Sequence, residues 1–179
     1  MRFKTIPLYA ALAFAACTSS NQSSSITEDY TQYVNPFIGT DFTGNTYPGA
    51  QVPFGMVQLS PDNGLPGWDR IAGYFYPDST IAGFSHTHLS GTGAGDLYDV
   101  SFMPVTLPYK EAEAPLGIYS KFSHTNESAY AGYYQVKLDD YNINVELTAT
   151  ERCGIQRYTF PKAESAIFLN LAKAMNWDA

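Results

Sequence analysis

Apolar and polar side chains alternate one for one in Tyr134-Gln135-Val136-Lys137-Leu138 and again in Ile143-Asn144-Val145-Glu146-Leu147. This is the period of two that a half-buried antiparallel strand requires. The intervening Asp139-Asp140-Tyr141-Asn142 reads as a hairpin turn. Further strands are expected at Gly55 to Leu59, Gly73 to Tyr76, Ile81 to His88, Asp99 to Thr106, Tyr119 to Ser123, Gly154 to Phe160 and Ala166 to Leu171. They recur at short spacing with Gly, Pro, Asn and Asp between them, as in a β-sandwich or barrel. Beyond residue 16 no segment carries the 3.6-residue period of an amphipathic helix. The pattern predicts an all-β, antiparallel fold, a β-sandwich or a barrel.

The first residues follow a different logic. Arg2 and Lys4 precede an apolar stretch, Ile6 to Ala16, that is too short to span a bilayer and of the length of a signal-peptide core. It ends Leu12-Ala13-Phe14-Ala15-Ala16-Cys17, small residues directly before a cysteine, which resembles a bacterial lipobox with Cys17 as the lipidated mature terminus. An ordinary secretory signal is the alternative. Thr18 to Ser25 is a polar, serine-rich run suited to a flexible tether. The chain divides into a signal (1–16), a lipidated Cys and tether (17–29) and a sandwich domain (30–179). The abrupt end at Met175-Asn176-Trp177-Asp178-Ala179 reads as a fragment of a longer protein.

Composition narrows the function. The chain has 179 residues, enough for one domain with its own core, and a net charge of −7. Loss of the signal removes Arg2 and Lys4 but no acid. No basic face is left for nucleic acid, and membrane contact is expected through the lipid anchor alone. Of the two cysteines, Cys17 is committed to the anchor, so Cys153 has no partner within the chain and no disulfide is expected. The 27 aromatic residues, 14 of them Tyr, far exceed what disordered chains carry.

Candidate chemistry concentrates between Asn35 and Asp99. Gly67-Trp68-Asp69-Arg70 sets an aromatic, a carboxylate and a guanidinium side by side in a long turn. A sugar needs a flat ring for its C–H face and paired hydrogen-bond partners for its hydroxyls, and these three residues supply both. The competing reading has Asp69 and Arg70 as a surface ion pair with Trp68 covering a sheet edge. On a strand, His86 and His88 would point the same way and meet one substrate or one metal. A third ligand is not near in sequence, so polar residues lining a cleft or core are the alternative. The Gly91-x-Gly93 run lacks the third glycine and the Gly-Lys-Ser/Thr of nucleotide loops. Ser85 lacks the glycine that a nucleophile elbow requires two residues after the serine. Asp96 and Asp99 fit strand-end capping better than a catalytic pair.

The blocks Val34-Asn35-Pro36-Phe37-Ile38-Gly39-Thr40, Tyr47-Pro48-Gly49-Ala50, Pro53-Phe54-Gly55-Met56-Val57-Gln58-Leu59-Ser60-Pro61-Asp62, Gly67-Trp68-Asp69, Ala72-Gly73-Tyr74 and Gly83-Phe84-Ser85-His86-Thr87-His88-Leu89-Ser90-Gly91-Thr92-Gly93 closely resemble the N-terminal domain of glycoside hydrolase family 92. The resemblance covers Val34 to about Pro104. It implies a β-sandwich packed on a larger (α/α)6 barrel that is not in this chain. It also implies an exported bacterial α-mannosidase, calcium-dependent, exo-acting and inverting, that removes terminal mannose from glycans. The catalytic acid, the base and most contacts to Ca2+ are expected from the barrel, so no catalytic residue or metal ligand is assigned here. Trp68 and Asp69 take the sugar-binding role; Arg70-Ile71-Ala72 departs from the family's usual sequence at these positions. The protein is expected in the periplasm, or at the outer membrane or surface, of a Gram-negative bacterium. A lectin-like lipoprotein sandwich and a ligand-free structural domain are the alternatives. Mannosidic linkage stays open.

Overall fold

The computed structural model describes residues 28–91, 97–113 and 116–171. The signal, Cys17, the serine-rich tether, Asp96 and the terminal Trp177 lie outside the described residues. Eleven strands make up the fold: β1 (Ala50–Gln51), β2 (Gln58–Asp62), β3 (Thr80–Ile81), β4 (Gly83–Ser85), β5 (Ser101–Thr106), β6 (Ser120–Lys121), β7 (Glu127–Tyr130), β8 (Tyr133–Leu138), β9 (Ile143–Ala149), β10 (Gly154–Thr159) and β11 (Ser165–Asn170). Helical structure among the described residues is limited to three short 3-10 turns. One sheet runs β1-β2-β4-β5-β11, a second β10-β9-β8-β7, and β3 pairs with β6 separately. All pairings are antiparallel.

The alternation seen in sequence is the burial pattern. Tyr134, Val136 and Leu138 of β8 and Ile143, Val145 and Leu147 of β9 point inward and are buried. Val136 pairs with Val145 and Leu138 with Ile143, so the hairpin closes on Asp139 to Asn142, where Asn142 has φ 52°, a value asparagine tolerates. These side chains meet Leu59, Phe84, Met103 and Val105 of the first sheet in one core. The sheets approach closely at Gly154, where a Cβ would lie 2.8 Å from Leu59 Cδ1.

Four expectations need correction. Gly73 to Tyr76 is a loop: Gly73 has φ 89°, and the chain turns back so that Asn63 N–H donates to the Gly73 carbonyl and the Phe75 N–H to Asn63 Oδ1. Ile81 to His88 is not one strand. Gly83 at φ 151° turns the chain out of β3 and into β4, which ends at Ser85. Gly55 to Leu59 is displaced, because Phe54 at φ 59° and a Gly55 N–H bond to the Val52 carbonyl form a turn and pairing begins only at Gln58. Tyr119 to Ser123 shrinks to the two residues of β6. Both β1 and β7 go unheralded: Glu127-Ser128-Ala129-Tyr130 lies at a sheet edge, so little of it is buried and no apolar alternation marks it.

Candidate functional site

Trp68–Arg70 forms a 3-10 turn with no side-chain cap and with Gly67 at φ 147° before it. A three-residue turn of this kind has little stability of its own, so its neighbours decide its shape. Tyr98 donates its hydroxyl proton to the Ile71 carbonyl at 2.8 Å, with the Arg70 carbonyl at 3.3 Å. Burial pushes that phenol well above its ordinary pKa, so it stays a donor. The turn holds Trp68 55% exposed, so more than half of the residue's surface stays open to solvent. The Asp69 carboxylate takes no hydrogen bond from the described residues and acts on Arg70 through charge.

Arg70 behaves differently from expectation. Its guanidinium makes a two-pronged contact with Asp78, Nε to Oδ2 at 2.6 Å and Nη2 to Oδ1 at 2.5 Å, and lies 4.7 Å over the Phe75 ring. Hydrogen bonding to Asp78 raises its pKa further. The fork uses two of the five guanidinium N–H donors, and the ion pair of Arg70 is with Asp78, not with Asp69.

The two histidines do not converge. His86 donates from Nδ1 to the Val100 carbonyl at 2.9 Å and sits edge-on to Phe102. His88 is 1% exposed: Nδ1 donates to the Gln58 carbonyl at 2.7 Å, and Nε2 faces Asp62 Oδ1 at 2.9 Å and Ser85 Oγ at 3.2 Å. Because β4 ends at Ser85, the strand geometry that would have aimed both rings one way is absent. His88 lies in the interior between Tyr47 and Tyr98. Asp99 exchanges hydrogen bonds with Thr87, the loop role expected of it.

Sequence reasoning missed a second polar centre. Asn35, Phe37 and Thr40 of the first motif block meet Tyr76, His124 and Glu127 around a hollow of about 320 Å³. His124 Nδ1 lies 2.7 Å from Glu127 Oε2, Nε2 donates to the Tyr76 carbonyl at 2.7 Å, and the Tyr76 ring stacks on the imidazole at 4.0 Å. Glu127 also accepts from Tyr134 at 2.6 Å and Tyr74 at 3.0 Å. Burial, then the Glu127 charge, drives both phenols well above their ordinary range. The spacing His124-x-x-Glu127 was the available signal, but nothing in sequence ties it to Tyr74 or Tyr76.

No three His, Cys, Asp or Glu side chains come together among the described residues. Asp62, Asp78 and Glu127 are already held by His88, Arg70 and the His124–tyrosine group. Where carboxylate titration is displaced, at Asp29, Asp140 and Glu146, it is displaced downward, away from what a catalytic acid needs.

Residues 33–179 match the glycosyl hydrolase family 92 N-terminal domain. The chain belongs to glycosyl hydrolase family 92. Among solved family 92 structures, it is similar to an α-mannosidase of Bacteroides thetaiotaomicron in complex with mannoimidazole, at 43% identity and TM-score 0.76 over 81% of this chain and 20% of that one. An inverting family 92 mannosidase of Bacteroides thetaiotaomicron VPI-5482 matches at 32% identity and TM-score 0.68, over 82% of this chain and 20% of its own. A secreted glycosidase of Arthroderma benhamiae is 28% identical over 159 residues, 86% of this chain and 20% of the relative. The chain therefore spans about a fifth of the length of the family 92 relatives it matches, and its all-β sandwich corresponds to their N-terminal domain.

Proposed function

We propose that this chain is the sugar-facing N-terminal domain of an exported, exo-acting, inverting α-mannosidase that removes terminal mannose from glycans. The observation that carries the reading is 43% identity, in the same fold, to an α-mannosidase bound to mannoimidazole, and the inverting relative supports the stereochemistry. An inverting hydrolysis needs two carboxyl groups about 6.5–9.5 Å apart with a water between them. That pair, and the calcium the family resemblance implies, are assigned to the helical barrel of the complete enzyme. Trp68 and Asp69 contribute a ring face and a charged acceptor to the sugar. With hydrolases as relatives, the lectin alternative loses its support.

The full-length enzyme should release mannose from α-mannosides with inversion and lose activity to chelator, while residues 1–179 alone should release none. In the full-length enzyme Trp68→Ala should lower kcat/KM about tenfold or more, with little change in melting temperature, because an exposed ring contributes to binding and not to the core. Asp69→Asn should do the same by removing the charge that strengthens its hydrogen bond. A stability loss with unchanged kinetics would refute the assignment.

The secreted relative supports export. The finer reading is a lipid anchor at Cys17, in the periplasm or at the outer membrane or surface of a Gram-negative cell. Cys17→Ser should abolish both fatty-acid labelling and membrane association; a variant that stays membrane-bound would remove the lipobox reading.

A further inference from the structure

Two carboxylates act on Arg70. Asp69 precedes it in the chain and acts on it through charge; Asp78 holds it through the fork. Asp78 is anchored from its own side, its N–H donating to the Phe75 carbonyl at 2.9 Å. The pair is half-sheltered, with side-chain exposures of 23% for Arg70 and 9% for Asp78, and the Phe75 face under the guanidinium adds a second restraint. The backbone of the turn does not depend on this ion pair alone, because Tyr98 holds the Arg70 and Ile71 carbonyls independently.

We propose that Asp78 is a positioning residue that keeps the Arg70 guanidinium off Asp69, leaving the Asp69 carboxylate open to sugar hydroxyls beside the exposed Trp68 ring. This rests on the reading of Trp68 and Asp69 as sugar contacts. An arginine held in a planar, bidentate fork has its position and plane set by that one partner. If Asp78 loses its charge, the nearest remaining carboxylate is Asp69. Arg70 then competes with the substrate for the acceptor, and the loss falls on ground-state binding.

The test uses the full-length enzyme, with steady-state kinetics on an α-mannoside and melting temperatures read side by side. Asp78→Asn keeps the shape and should raise KM about tenfold with kcat little changed. Arg70→Ala removes the competitor and should stay within about threefold of the parent kcat/KM, because Tyr98 still holds the turn. The double variant Arg70→Ala/Asp78→Asn should recover at least half of the logarithmic loss of Asp78→Asn. Arg70→Lys, which keeps the charge without the fork, should raise KM more than Arg70→Ala does, and it serves as an independent variant should Asp78→Asn fold poorly. A double variant as impaired as Asp78→Asn, or Arg70→Lys no worse than Arg70→Ala, would make Asp78 a mere prop and overturn the proposal. Parent-like kinetics for Asp78→Asn alongside impaired Trp68→Ala and Asp69→Asn would overturn it while leaving the sugar site standing. Parent-like kinetics in Trp68→Ala and Asp69→Asn would bring down the site reading itself, and the role of Asp78 with it.

Discussion

Replacing His88 by alanine lowers the stability of the sandwich by about 3 kcal/mol, through the void it leaves and the loss of one hydrogen-bond partner of the buried Asp62 carboxylate. The imidazole and the Asp62 carboxylate are 1% and 2% exposed, so solvent cannot take over the lost contact. The ring also fills the space between Tyr47, 5.0 Å away, and Tyr98, 5.5 Å away, and its removal leaves a void lined by two phenols. Gly73 backs the same place: at φ 89° a Cβ there would come 2.7 Å from Asp62 Oδ1 and 3.1 Å from the His88 ring, so the surrounding backbone has no larger side chain to lean into the gap. Chemical denaturation of the full-length protein should show the sandwich transition moved to lower denaturant with its slope retained. Because Tyr98 also carries the Trp68 turn, kcat/KM should fall with it. A loss under 1 kcal/mol would show the pair to be dispensable.

Glu127→Ala has a comparable effect for a different reason. One carboxylate accepts from Tyr74, from Tyr134 and faces His124, and both tyrosines are fully buried. Deleting it strands two buried hydroxyls, each costing about 1–3 kcal/mol when left unsatisfied, and takes a partner from the part-exposed His124 ring, so a total of about 3–5 kcal/mol is expected after relaxation. Glu127→Gln keeps one acceptor oxygen and should cost about half as much. The readouts are melting temperature and the near-ultraviolet dichroism of the tyrosines. Equal losses for the two variants would mean that packing, not the carboxylate, holds this centre.

The strand pairs that bury one face and wet the other were legible because burial writes itself into the chain at a period of two; β8 and β9 are the clearest instance. The edges were not. β7 buries too little to need apolar residues, and the turns at Gly73 and Gly83 depend on backbone angles that only the packed neighbours impose. The same division holds at the site. An aromatic beside a carboxylate in a glycine- and proline-rich turn singled out Trp68 and Asp69 as candidates. The partner of Arg70 was hidden, because Asp78 arrives through a second loop whose position depends on the Tyr76 N–H bond to the Thr40 carbonyl. His88 misled because its meaning turned on whether the strand ran past Ser85.

The outermost strand of the first sheet, β11, exposes Ile167 and Leu169 at 50% and 51%, while Ala166 and Phe168 on its other side pack against the core. Its N–H and C=O groups pair with β5 along one side, and among the described residues the other side has no strand. A ribbon apolar on both faces with an open ladder is a template for unwanted pairing. In a preparation confined to these residues, colloidal behaviour would be governed by that one strand: oligomers would form by edge joining and grow with concentration, whatever the net negative charge contributes to repulsion.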